Sequence, residues 1–300
     1  MSHQAKMLYW QHAIVQEGAS MATTQLAGPR RGALETALAH QQVGTLDWLM
    51  ALVSLWFVGG LCLDGWAHAH GRVDNTFFTP WHAVFYSGFG AVGLLLAVWV
   101  LRGLLRGAAW HQTLPAGYNL ALLGAPLFAL SGIGDLAWHE LFGIERGVEA
   151  LLSPTHLGLI TSMTLIVAAP LRAAIGRPVR GVQLVPAVLS LALVLTLLTF
   201  ISEYAHPFIE PMANEARGSS DGAKLGVAGV IIQSAILAGM LLTALCLPRL
   251  WPGAFTLVLG LNAVMISFLN DQYWTIGVAV LAGIAADVLY LVLRPGSARQ

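Results

Sequence analysis

Two copies of an acid–histidine pattern carry the most recognisable chemistry in this chain. Asp64-Gly-Trp-Ala-His68 and Asp135-Leu-Ala-Trp-His139 both read D-x3-H, and Thr79-Pro-Trp-His82 and Ser153-Pro-Thr-His156 both read [ST]-P-x-H. The i,i+4 spacing of the first pattern puts carboxylate and imidazole on one helical face. In the second, Thr or Ser suits an N-cap and Pro the first helical position, which leaves each histidine at N3. The positive end of the helix dipole disfavours an imidazolium there, and neutral imidazole is the form that binds metal. Imidazole with carboxylate and no thiolate suits zinc, copper(II), non-haem iron or manganese. Asp64, His68, His82, Asp135, His139 and His156 are therefore candidate metal ligands, in one shared site or two adjacent ones. A lone histidine at a helix end is more often merely interfacial, and an aspartate there commonly caps or pairs with arginine. Repetition of both patterns in the same order favours metal over an Asp–His hydrogen-bonded network.

Weaker versions follow. Glu203-Tyr-Ala-His206 has i,i+3 spacing, and Asp271 has no histidine after it. The acids Asp64, Asp135, Glu203 and Asp271 lie 71, 68 and 68 residues apart, which suggests four helical hairpins with an acid at the same end of each. Glu203, His206, Asp271 and His70 are candidates for further ligands, orienting groups or proton-transfer groups. His3, His12, His40 and His111 fall in the N-terminal tail or the loop at the other end.

The elements that must position these residues are membrane helices. Of 300 residues 57% are hydrophobic and 10% charged, and mean hydropathy is +0.70. A soluble domain carries about 25% charged residues. Stretches long enough to span a bilayer fall at 45–68, 79–105, 118–141, 153–175, 182–205, 223–247, 254–270 and 274–294. The seventh is short, and it and the eighth could form one long broken element. The expected fold is an all-α polytopic bundle of about eight transmembrane helices in four repeated hairpins, near 45–105, 118–175, 182–247 and 254–294. Residues 1–44 read as a polar cytoplasmic tail without the apolar core of a secretory signal, and Met21 could be the true start. Arg102, Arg106, Arg172, Arg177, Arg180, Arg249, Arg294 and Arg299 follow the even-numbered spans, whereas Arg72, Arg146, Arg217 and Lys224 lie in acid-containing loops. The positive-inside rule then puts both termini in the cytoplasm and the acid–histidine cluster on the outer face of the cell's inner (plasma) membrane.

Other features read more simply. Trp66, Trp81, Trp138 and Trp274 fit an aromatic belt. Glu145, Arg146 and Glu149 fit a solvated or ion-paired loop, although either glutamate could reach the site. Asp287, well inside the last span, fits a bundle-facing hydrogen bond. Gly88, Gly90, Gly132 and Gly134 fit close helix packing. Cys62 and Cys246 lie in separate apolar stretches and do not suggest a disulfide. Zero net charge gives no argument for nucleic acid.

The segments TFFTPWHAVFYSG (76–88) and GDLAWHELFGIERGVEALLSPTHLGL (134–159) resemble an uncharacterised bacterial polytopic membrane family, a resemblance that implies no particular activity. The order Asp64, His68, His82 is also similar to a copper site held within one membrane subunit of the copper membrane monooxygenases, the particulate methane and ammonia enzymes. Asp135, His139 and His156 match with a longer gap. Duplication and surrounding sequence differ from that family, so the likeness is one of site pattern. Alkaline ceramidase-like zinc hydrolases also embed His and Asp in helices, but their HxxxH pair is absent. The expected function is a membrane metalloprotein with copper, iron or zinc. A hydroxylase-like oxidoreductase acting on a small or lipophilic substrate is slightly favoured over a zinc hydrolase. It would have the bilayer and an electron-donor or partner subunit as partners. The alternatives are a metal-handling or transport protein, and a haem- or quinone-binding subunit with His82 and His156 as axial ligands.

Overall fold

The computed structural model describes residues 44–72, 77–143, 151–206 and 220–293, with no side-chain description for 220–222. Glu145, Arg146, Glu149, Arg217, Arg294, Arg299, Met21 and the N-terminal histidines lie outside these residues. Nine α-helices occur among the described residues, without strands: α1 (Gly44–Ala69), α2 (Pro80–Leu105), α3 (Asn119–Phe142), α4 (Pro154–Val167), α5 (Ala169–Ile175), α6 (Val185–Ile201), α7 (Ser220–Leu245), α8 (Ala254–Ser267) and α9 (Trp274–Leu293). Each expected stretch is helical, and the chain is a polytopic membrane helix bundle. Six segments are long and apolar enough to cross a membrane, and α4 with α5 makes a seventh.

That seventh span bends by 42° where the two helices meet at Ala168. Pro170 supplies no N–H to the ladder, so nearby carbonyls need other donors. Arg172 Nη2 donates to Leu165 O at 2.7 Å and Ser190 Oγ to Val167 O at 2.5 Å. The expected span at 254–270 is shorter than a full crossing. α8 has 14 residues, about 21 Å at 1.5 Å per residue, against a hydrocarbon core of about 30 Å. It does not continue into α9 as one broken element. Gly283 lies under Thr256 and Gly260 near Val280, so the two helices run antiparallel. Asp287 completes this hairpin by capping α8 from α9. Its carboxylate accepts from Phe255 N (3.1 Å), Thr256 N (3.0 Å) and Thr256 Oγ1 (2.6 Å), which satisfies donors that an α-helix leaves open at its start.

The centre of the bundle is α6, where 72% of the span is buried; the figure is 11% for α7 and for α9. Leu184, Ala187, Val188, Leu191, Ala192 and Leu195 pack there against Met240, Phe255 and Val258. Exposed Leu, Ile and Val on the peripheral helices, such as Leu94, Leu130, Ile231 and Leu281, suit a lipid solvent.

Two antiparallel hairpins position the acid–histidine motifs. In α1–α2 the backbones nearly touch: a Cβ on Gly60 would lie 2.8 Å from Phe85 Cα, and one on Gly88 would lie 2.6 Å from Phe57 Cα. In α3–α4, Gly124 packs on Ile166 and Gly158 on Ser131. At the opposite end of the bundle sits a polar clamp that motif reading overlooked. Asp47 accepts from Tyr118 Oη and from Arg177 Nη2, both at 2.7 Å. Burial beside Asp47 pushes the Tyr118 phenol well above its ordinary value, so it remains a donor.

Candidate metal centre

Each expected N-cap forms. Thr79 Oγ1 accepts from His82 N at 3.1 Å and Ser153 Oγ from His156 N at 3.2 Å, with Pro80 and Pro154 opening their helices. These caps set both imidazoles in a first turn, facing the last turns of α1 and α3. The i,i+4 pairs Asp64–His68 and Asp135–His139 supply the rest.

The result is two triads of ligand atoms. In Asp64–His68–His82 and in Asp135–His139–His156, one donor atom from each residue lies within 4.8 Å of the other two. In triad one, His82 Nε2 is 3.3 Å and His68 Nε2 3.8 Å from Asp64 Oδ2. In triad two, His156 Nε2 is 3.1 Å and His139 Nε2 3.6 Å from Asp135 Oδ1. Both aspartates are buried. An ionised carboxylate there needs compensating charge or hydrogen bonds.

Hydrogen bonds at the far ring nitrogens settle the tautomer of one histidine in each triad. His82 Nδ1 donates to Phe77 O at 2.5 Å, and His139 Nδ1 donates to Gly143 O at 3.3 Å. Gly143 closes α3 at φ 79°, which favours glycine, and so turns its carbonyl back to His139. A neutral imidazole bonded in this way keeps a lone pair on Nε2, the atom that faces the carboxylate. Two polar atoms remain buried without a hydrogen-bond partner, Asp64 Oδ1 in triad one and His156 Nδ1 in triad two. Each set of three converging donors is one that could hold a metal ion.

Three contributors were not singled out from the sequence. Thr155 donates to Asp135 Oδ1 at 3.0 Å; it occupies the variable position of its own S-P-T-H motif, where the first copy has Trp81. Phe77 gives its carbonyl to His82 and its ring to both triads, with centroids 4.8 Å from His82 and 6.2 Å from His139. Tyr86, one turn after His82, packs 6.1 Å from that imidazole, and its hydroxyl is buried without a partner. Spacing signals none of the three, because each acts through a contact between helices or through a backbone atom.

The four secondary candidates sit as follows. His70 and Asp271 pair with each other, Nε2 to Oδ2 at 3.0 Å, and supply no ligand atom to either triad. His70 Nδ1 also donates to Trp66 O, and Tyr273 Oη donates to Asp271 Oδ1 at 2.8 Å. The hydrogen bond from His70 is the main cause holding the Asp271 carboxyl below its ordinary value, and the same bond raises the His70 imidazole. Glu203 opens a short 3-10 turn after α6 and accepts from Asn270 Nδ2. His206 closes that turn, and burial pushes its imidazole down to about 4. Comparison with known protein families, characterised proteins and solved structures gives no match, so this geometry carries the functional reading alone.

Proposed function

We propose that this chain is an integral membrane metalloprotein holding transition metal at its two Asp–His–His triads, and that it works as a metal-dependent oxidoreductase of hydroxylase type. The observation that carries the reading is the twofold convergence of one carboxylate and two imidazoles within 4.8 Å. Two histidines with one carboxylate and open positions is the donor set of non-haem iron oxygenases, and imidazole also suits copper and zinc. Bound metal would supply dioxygen activation or, for zinc, an activated water. The residues here would bind and orient it: His82 and His139 through their fixed Nε2 atoms, Asp64 and Asp135 as the anionic ligands, and Thr155 by holding Asp135.

The substrate class follows from location. The triads lie at helix ends in a bundle whose flanks are apolar, which suits a small or lipophilic molecule arriving through the bilayer. Arg102, Arg106, Arg172, Arg177, Arg180 and Arg249 all lie toward the end opposite the triads, which supports an outer-face site with that opposite end in the cytoplasm. An electron donor or partner subunit would supply reducing equivalents. The site pattern similar to that of copper membrane monooxygenases belongs to the same proposal.

Elemental analysis of the purified full chain, wild type beside the double variant His82→Ala, His156→Ala, tests it. Stoichiometric copper or iron in wild type that is lost in the variant is expected. Stoichiometric zinc would move the reading to a hydrolase, and background metal in wild type would remove it.

A further inference from the structure

The two triads are not isolated from one another. Phe77 touches an imidazole of each. Phe57 and Phe128, each seven residues before its triad aspartate, meet edge to face at 5.0 Å, and Phe85 and Phe89 add contacts to Phe128 at 5.6 and 4.4 Å. An aromatic floor thus joins the α1–α2 hairpin to α3 directly beneath the aspartates.

Tyr86 occupies the joint. Its ring packs on Phe128 at 5.9 Å and against His82, and it lies over Gly132, one turn before Asp135. A Cβ on Gly132 would come within 3.2 Å of the hydroxyl, so glycine is what admits the phenol there. That hydroxyl is buried and has no hydrogen-bond partner. A buried hydroxyl without a partner costs free energy unless a ligand completes it. Position 160, which follows the second [ST]-P-x-H at the same distance, is Ile, so one phenol serves both hairpins.

Resting on the metalloprotein reading, we infer that the two triads form a single two-ion centre, with Tyr86 Oη donating to an oxygen or anionic ligand held between the ions. The ligand class is a divalent first-row transition ion at each triad, with water, hydroxide or a small anion on the open positions facing the phenol.

The full chain, purified in detergent and loaded with Cu(II) alone, tests this by metal content and electron paramagnetic resonance. Two ions per chain are expected, with spectra broadened by spin–spin interaction. Asp135→Asn with His139→Ala should return one ion and an isolated-ion spectrum. Tyr86→Phe should keep two ions and the broadening, yet weaken azide binding about tenfold, the loss of one hydrogen bond to a charged group. Two magnetically isolated ions, or a single ion shared by all six ligands, would overturn the paired centre while leaving the metalloprotein reading intact. Absence of bound copper would overturn both. Azide affinity unchanged in Tyr86→Phe would overturn the role of the phenol.

Discussion

Triad one (Asp64, His68, His82) and triad two (Asp135, His139, His156) share ligand types and helix positions, yet their supports fall on different members. In triad one the backbone carbonyl of Phe77 fixes the histidine at the start of α2, and Asp64 Oδ1 is left without a hydrogen bond. In triad two the carbonyl of Gly143 fixes the histidine at the end of α3. Thr155 holds Asp135, and His156 Nδ1 is the atom left over. At the helix ends the His68 side chain is 34% exposed and that of His139 10%, whereas at the helix starts the order reverses, 14% for His82 and 25% for His156. Triad two has the more deeply buried and more tightly held aspartate. Triad one has the most exposed single ligand, His68. The same motif therefore carries a braced aspartate in one copy and an exposed helix-end imidazole in the other.

Removing a ligand should have the largest effect on this comparison. Asp135→Ala and Asp64→Ala are each expected to delete one ion per chain, read by elemental analysis. Loss of both ions from either single variant would mean that the triads do not hold metal independently. Supporting bonds come next. Thr155→Val removes the donor to Asp135 and should weaken metal affinity at triad two by about 10- to 100-fold, leaving triad one unchanged in competitive chelator titrations. The reverse change, Trp81→Thr, gives triad one the hydroxyl it lacks. One added hydrogen bond should raise affinity there by about two- to tenfold, and no gain would show that Asp64 Oδ1 lies beyond its reach.

Hairpin packing gives a smaller contrast. Gly88 meets the backbone of Phe57, whereas Gly158 meets the side chain of Ser131, which can move aside. Gly88→Ala should lower stability by about 1–3 kcal/mol, the usual cost of overpacking, and Gly158→Ala by less, both read from thermal unfolding in detergent. Equal losses would mean that the two hairpins are equally rigid.

The pair His70–Asp271 serves as a control for what an acid–histidine contact does without convergence. It is exposed, so its effect should be the smallest and should fade with salt. His70 is raised above 6.5, so its contribution is full below that pH and is lost as pH rises through the folded value. Asp271 is lowered below 3.8, so its contribution is present above that pH and is lost on acidification through its own folded value. Both contributions are therefore present together between about pH 4 and 6.5. Half-buried His206 acts in the opposite sense to His70. Its imidazole is held down to about 4, so stability is full above 6.5 and falls as pH drops toward 4. In His70→Ala the loss of stability above pH 6.5 should shrink at low salt. In His206→Gln the acid-side loss should shrink. An unchanged profile in either variant would remove that group from the account.

The sequence alone determined the solvent and the ends of the elements. Its apolar stretches required helices in lipid, because only a helix or closed barrel satisfies its own backbone there. Thr79-Pro80 and Ser153-Pro154 fixed two helix starts through local hydrogen bonds that need no partner element. The D-x3-H pairs followed from helical periodicity for the same reason. Tertiary structure decided the rest, because it depends on what faces what. It made 254–270 a short helix capped from Asp287, and it turned the fourth span at Ala168 while Ser190 and Arg172 took up the freed carbonyls. It drew His70 and Asp271 into a pair of their own, and it brought Phe77, Thr155 and Tyr86 to the triads. Periodicity places a side chain on its own helix. Only packing between helices chooses the neighbour it meets, and with it whether a buried polar atom finds a partner.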